Sequence, residues 1–306
     1  MEVKILIQSN NLLGEGPAWD SSTKELLWVD IENRTLNIFQ TETGVESQFH
    51  FEHRLSAIVP IEKNPGKYIL ALQNGLAIFD RTTETLEYFS DCEKDLANNR
   101  FNDGKCDPAG RFWIGSMDLD AVAGKGTLYC VDNDLTITKK ISGLSISNGM
   151  AWTKNGETIY FVDSPTQQVA KFDFEIKTAS ISNKKIVIEI PESMGVPDGI
   201  CIDSENMLWV ASWGGACITR WNPETGKLLQ KVEVPAKNVT SLCFGGKDLD
   251  TLFITSARTG LNREELDEFP LSGSVFSYQP DVGGLIPKFY KYEHINNTSV
   301  KILITM

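Results

Sequence analysis

The chain has 306 residues, 41% of them apolar, and a net charge of −12, so it is long enough to bury a substantial core. Its acidic residues are scattered, as in Asp248-Leu249-Asp250 and Glu264-Glu265, which gives a surface that repels nucleic acid and anionic membrane rather than binding them. No run approaches the roughly 18 apolar residues of a membrane helix, and Met1–Gln8 is a short β-like run with no apolar leader segment behind it.

The six cysteines (Cys92, Cys106, Cys130, Cys201, Cys217, Cys243) include no CxxC pair and read as reduced, mostly buried thiols. A cytoplasmic protein is therefore expected, with no nucleic-acid or membrane partner and with its oligomeric state left open between monomer and weak dimer. Along the chain one strand motif recurs six times: Leu26–Asp30, Tyr68–Leu72, Phe112–Ser116, Ile159–Asp163, Leu208–Ser212 and Leu252–Ser256. The starts at 26, 68, 112, 159, 208 and 252 are separated by 42, 44, 47, 49 and 44 residues. A recurrence of that length, rich in β-branched and aromatic residues, fits one four-stranded blade per repeat.

Turn-forming stretches precede the motifs, among them Asp107-Pro108-Ala109-Gly110, Lys154-Asn155-Gly156 and Asp203-Ser204-Glu205-Asn206, of the kind that place Gly or Asn at positive φ. No helix of two turns or more is expected. Six such repeats fill the chain, and closing them into a ring removes the sheet edges a linear array would leave. The fold predicted is all-β, a six-bladed β-propeller spanning residues 1–306 as a single domain; a β-sandwich does not explain the even period.

The strand before each motif should be the innermost of its blade. In each, a polar residue lies 11 to 13 positions before the second or third motif residue: Glu15, Ser56, Asn102, Asn148, Asp198 and Ser241. Equivalent positions on inner strands face a common axis, so these six should converge at one mouth of the central channel. Glycines beside them (Gly14-Glu15-Gly16-Pro17, Asn148-Gly149, Asp198-Gly199) allow backbones to approach a small ligand closely. Taken singly, each is an ordinary turn residue leading into a strand; six in phase, two of them carboxylates, require a partner for the charge. Two carboxylates with one or two amide oxygens suit Ca²⁺, Mg²⁺ or Mn²⁺. None of the three histidines (His50, His53, His294) shares the phase, which argues against a His-based zinc site.

These segments, with Asn99-Arg100-Phe101-Asn102-Asp103-Gly104-Lys105, Ser147-Asn148-Gly149, Pro197-Asp198-Gly199 and Phe244-Gly245-Gly246, resemble over about residues 12 to 287 the senescence marker protein (regucalcin), gluconolactonase and luciferin-regenerating enzyme family. The resemblance implies a six-bladed propeller with one divalent metal (Ca²⁺, Mg²⁺, Mn²⁺ or Zn²⁺, Ca²⁺ favoured) held by Glu15, Asn148 and Asp198. It also implies substrate contacts at Arg100 and Asn102, with Asp120 the nearest match to a further acidic contact. The chain departs from animal members in the short loop Asp118–Gly124, and the stretch from Lys291 to Met306, with its Val300–Ile304 run, has no counterpart.

The expected activity is metal-dependent hydrolysis of a sugar-derived lactone to the hydroxy acid, with Asp198 as metal ligand and catalytic base and Arg100 and Asn102 holding substrate hydroxyls. Asp103 and Lys105 read as a turn pair that stabilises their blade, and Trp213 as the tryptophan that could border the site. No GxSxG elbow or in-phase histidine supports a serine hydrolase. The alternatives are a non-catalytic calcium-binding or regulatory propeller, and a related hydrolase acting on another ester or a luciferin-derived substrate.

Overall fold

The computed structural model of the chain describes residues 2–293. Six four-stranded antiparallel sheets follow one another. Their innermost strands are Gly14–Asp20, Leu55–Pro60, Asn99–Cys106, Ser147–Trp152, Val196–Ile202 and Asn238–Gly245. Each packs beside the innermost strand of the next sheet, and the sixth beside the first, so the sheets are blades 1 to 6 of a closed propeller.

The second strands, Glu25–Asp30, Lys67–Leu72, Phe112–Asp118, Thr158–Asp163, Leu208–Trp213 and Thr251–Ala257, contain all six predicted motifs. They are nearly continuous apolar runs because neighbouring blades stack face to face and cover both sides of the sheet. The core is accordingly six apolar layers, one between each pair of neighbouring blades. Trp113, fully buried, meets Trp152 of the next blade edge to face at 5.7 Å.

Blade 6 draws its outermost strand, Lys4–Ile7, from the other end of the chain; Ile5 lies opposite Phe276 in Val275–Tyr278. This closure ties the ring together. Short cysteine-free contacts do the rest, since all six thiols are free and four are buried.

All innermost strands run from one face of the disc (the start face) to the other (the end face). The loop of residues 119–125 and Trp213 lie at the start face; the turns at 107–111, 153–157 and 203–207 lie at the end face. Gly110, Gly156 and Asn206 take φ of 82°, 71° and 59°, as the turn residues required. A strap from Gly283 to Glu293 crosses the end face, with Gly284 N–H donating to Leu249 O at 2.7 Å at one end and Tyr290 N–H to Pro60 O at 2.8 Å at the other. The α-helix Arg263–Glu268 is shorter than two turns. Among the described residues no helix is long and apolar enough to cross a membrane. His294 and the Val300–Ile304 run lie outside the described residues.

Candidate functional site

Glu15, Ser56, Asn102, Asn148, Asp198 and Ser241 all sit on innermost strands, and each lies at or beside a break in pairing with its second strand. The register shifts between Glu15 and Ala18, Leu55 and Ala57, Phe101 and Gly104, Ser147 and Met150, Pro197 and Ile200, and Val239 and Ser241. A bulge re-aims a side chain that regular pleating would point into a blade, and the same bulge repeated six times turns one side chain per blade toward the axis. All six residues are buried.

Glycine works differently from the expectation. A Cβ on Gly149 would lie 2.5 Å from Ile200 N and 2.6 Å from Asp198 O, and one on Gly199 would lie 2.2 Å from Ser241 Oγ. These glycines let adjacent inner strands close on one another, which brings the six polar residues together.

The electrostatics are those of excess negative charge out of water. Glu15, 6% exposed, is pushed up to about 8 by burial and then by Asp103; the Gly16 N–H, donated to its Oε2 at 3.0 Å, and the Arg100 guanidinium oppose this. Asp198 lies well above the usual carboxylate range because it is buried and faces Glu15 and Asp103, against the pull of Asn148 and Arg100. Burial also raises Asp103, with Lys105 and the Gly104 N–H opposing. Three carboxylates thus share one desolvated space, and each resists ionisation unless positive charge joins them.

Arg100 supplies part of that charge. Its Nη1 donates to Phe101 O at 2.9 Å and Asn102 Oδ1 at 2.6 Å, and Asn102 Nδ2 donates to Ser147 O of blade 4 at 2.9 Å. Burial lowers the Arg100 pKa, while Glu32, Glu15 and Asp198 hold it up. Asn148 Nδ2 donates to Ser164 Oγ at 3.0 Å. That leaves Asn148 Oδ1 buried without a partner, as are Asp198 Oδ1, Asp103 Oδ2 and Ser56 Oγ. Buried oxygens without donors are costly, and here they gather around carboxylates.

The structure therefore brings together Glu15, Arg100, Asn102, Asn148 and Asp198. Asp120 stands apart: it is exposed in the start-face loop, and its Oδ2 accepts from Asn98 Nδ2 at 3.1 Å. Trp213 is half-buried against the apolar layer that holds Leu13, Leu55 and Ala257, at the same face. The reading of Asp103 and Lys105 as a turn pair is corrected. Both lie on the innermost strand of blade 3; Asp103 belongs to the carboxylate group, and Lys105 Nζ reaches across to Ile200 O of blade 5 at 2.7 Å. Asp103 reaches this group because it lies in the bulge beside Asn102, a feature that the spacing of the repeats does not carry.

The residues that could hold a cation are two carboxylates and a carboxamide, Glu15, Asp198 and Asn148. Among the described residues no three His, Cys, Asp or Glu side chains are grouped to hold a metal ion, so Asp103 acts on Glu15 and Asp198 through its charge and not as a third carboxylate ligand. Beneath Asp103, a cavity of about 560 Å³ opens on the end face, away from Asp120.

The SMP-30/Gluconolactonase/LRE-like region family model matches residues 13–258. Regucalcin of Danio rerio is 35% identical over 278 residues, covering 90% of this chain and 93% of its own length. A Bacillus subtilis (strain 168) protein, YvrE, named provisionally as a sugar lactone lactonase, is 33% identical over 287 residues, covering 94% of this chain and 98% of its own. Among solved structures, a calcium-binding regucalcin from Agrobacterium tumefaciens superposes with a TM-score of 0.89 at 30% identity, covering 94% of this chain and 97% of its own. A luciferin-regenerating enzyme superposes equally well, TM-score 0.89 at 31% identity, over 94% and 99% of the two chains.

Proposed function

The chain belongs to the SMP-30/gluconolactonase/LRE-like family, and from that premise we propose that it is a metal-dependent lactonase acting on a sugar-derived lactone. The observation that carries the reading is the ring itself: Glu15 and Asp198 are buried and driven toward the protonated form, while Asn148 Oδ1 and Asp198 Oδ1 lack any donor. This donor set fits a hard divalent cation, Ca²⁺ first, held by Glu15, Asn148 and Asp198. When bound, such an ion supplies Lewis acidity to the lactone carbonyl and lowers the pKa of water beside it.

The protein's own groups do the rest. With positive charge beside it, Asp198 is ionised and accepts the proton of the attacking water. The water oxygen bonds to the carbonyl carbon, the ring C–O bond breaks as the proton held by Asp198 passes to the ring oxygen, and the hydroxy acid leaves. The Arg100 guanidinium and the remaining Asn102 N–H donate hydrogen bonds to substrate hydroxyls. On this reading Asp120, exposed in the start-face loop, accepts one from a substrate entering there. Arg100 and Asn102 carry donors beyond those that bond Phe101 O, Asn102 Oδ1 and Ser147 O, which favours the enzyme over the purely calcium-binding reading.

The discriminating experiment is turnover of a panel of sugar lactones by Asp198→Ala and Arg100→Ala. Asp198→Ala should lose turnover altogether, whereas Arg100→Ala should chiefly raise KM. Full ion-dependent activity in Asp198→Ala would refute the assignment of the base.

A further inference from the structure

The end-face cavity is separate from the groups proposed to carry the reaction, and its chemistry runs against that of the rest of the chain. Its walls are apolar side chains from the ends of the innermost strands, Trp19, Ile58, Trp152 and Phe244 among them, and its outer wall is the strap, through Leu285 and Phe289. Between its anchors the strap segment 285–289 makes no backbone–backbone hydrogen bond among the described residues, and Leu285 packs on the apolar layer between blades 4 and 5.

The charged residues lining the cavity are three lysines, Lys105, Lys154 and Lys288, and one carboxylate, Asp103, in a chain whose net charge is −12. Lys154 and Lys288 are exposed at the rim. Lys105 is half-buried and acts on Asp103; its side chain spans the channel from blade 3 to blade 5, and the bond to Ile200 O at 2.7 Å engages one of three ammonium protons. An apolar chamber with an ammonium in its wall and a basic rim suits a ligand with an apolar body and one anionic head.

We propose that this cavity is a second ligand site, distinct from the reaction site, that takes a small amphipathic carboxylate. Its head meets Lys105 and its apolar body packs against Trp19, Phe244 and the strap. Lys105, which the lactonase reading leaves without a task, is the residue that selects the anion.

The test is calorimetric titration of the full-length protein with decanoate and with decylamine, a cation of equal chain length. Decanoate should bind saturably at one site, and Lys105→Met should weaken it about tenfold. Lys154→Glu with Lys288→Glu, both at exposed positions that leave the fold intact, should weaken it as well and narrow its advantage over decylamine. Lactone turnover should be unchanged by the Lys154→Glu, Lys288→Glu variant and by saturating decanoate. The proposal is overturned by the absence of saturable decanoate binding, by equal binding of decylamine, by indifference of decanoate to both sets of variants, or by competitive inhibition of lactone turnover. The binding arms require no turnover, so they stand even if the lactonase reading fails.

Discussion

A carboxylate with its pKa raised by burial states what the site lacks. Glu15 titrates near 8 against an ordinary value of 4.5, so the folded protein without a cation holds a proton that the unfolded chain releases above about 4.5. With the folded state binding more protons across that window, stability falls as pH rises from about 4.5 to about 8. Chelator-treated protein should therefore melt several degrees lower at pH 8.5 than at pH 5, and saturating Ca²⁺ should remove most of that dependence. Ion binding at pH 7 should also release protons, Glu15's among them, read as a calorimetric enthalpy that changes with the ionisation enthalpy of the buffer. A buffer-independent enthalpy would mean that Glu15 is already ionised. Asp103 joins this group although the sequence suggested a turn: its neighbour Asn102 held the expected phase, but the bulge between Phe101 and Gly104 brings two consecutive residues to the axis, and bulges leave no mark in spacing.

At the scale of the element, the innermost strand joins fold to site, and glycine is its tightest point. Gly149→Ala would drive a methyl group into the Ile200 and Asp198 backbone. It should cost about 1–3 kcal/mol by overpacking and, because the shift moves Asn148 against Asp198, also weaken ion binding; an alanine variant with wild-type melting and affinity would show that the strands have slack. The sequence exposed these glycines plainly but suggested the wrong partner, since a close approach reads the same whether it admits a ligand or a neighbouring strand. The second strands were legible because both faces are covered and the apolar run is unbroken, and the turns because Gly110, Gly156 and Asn206 carry their own conformational signature. Turns that place Lys24, Arg34 and Glu84 at φ near 60° carry no such mark, because residues with side chains there adopt a conformation that glycine takes more readily.

For the molecule as a whole, closure of the ring depends on residues more than 260 positions apart. Lys4–Ile7 completes blade 6, and Ile7 is buried with Trp19, Trp28 and Val275. The six repeats were visible from spacing, but this pairing was not, since no local pattern says which distant strand a short run will join; the strap and Lys105's reach across the channel were hidden for the same reason. Deleting residues 1–8 should lower the melting temperature by about 5–10 °C, from one lost apolar side chain and one lost strand ladder. The ring should stay folded, because Asn11 N–H still donates to Gly273 O at 3.0 Å; an unchanged melt would show that the strand does not latch the ring.

The most direct test of the account is proton release during hydrolysis of glucono-δ-lactone by chelator-stripped protein resupplied in turn with Ca²⁺, Mg²⁺, Mn²⁺ and Zn²⁺. The account predicts negligible turnover by the stripped protein and turnover restored by a divalent ion, with no restoration in Asp198→Ala. Undiminished turnover after complete stripping, or ion binding with no hydrolysis across a panel of sugar lactones, would contradict it.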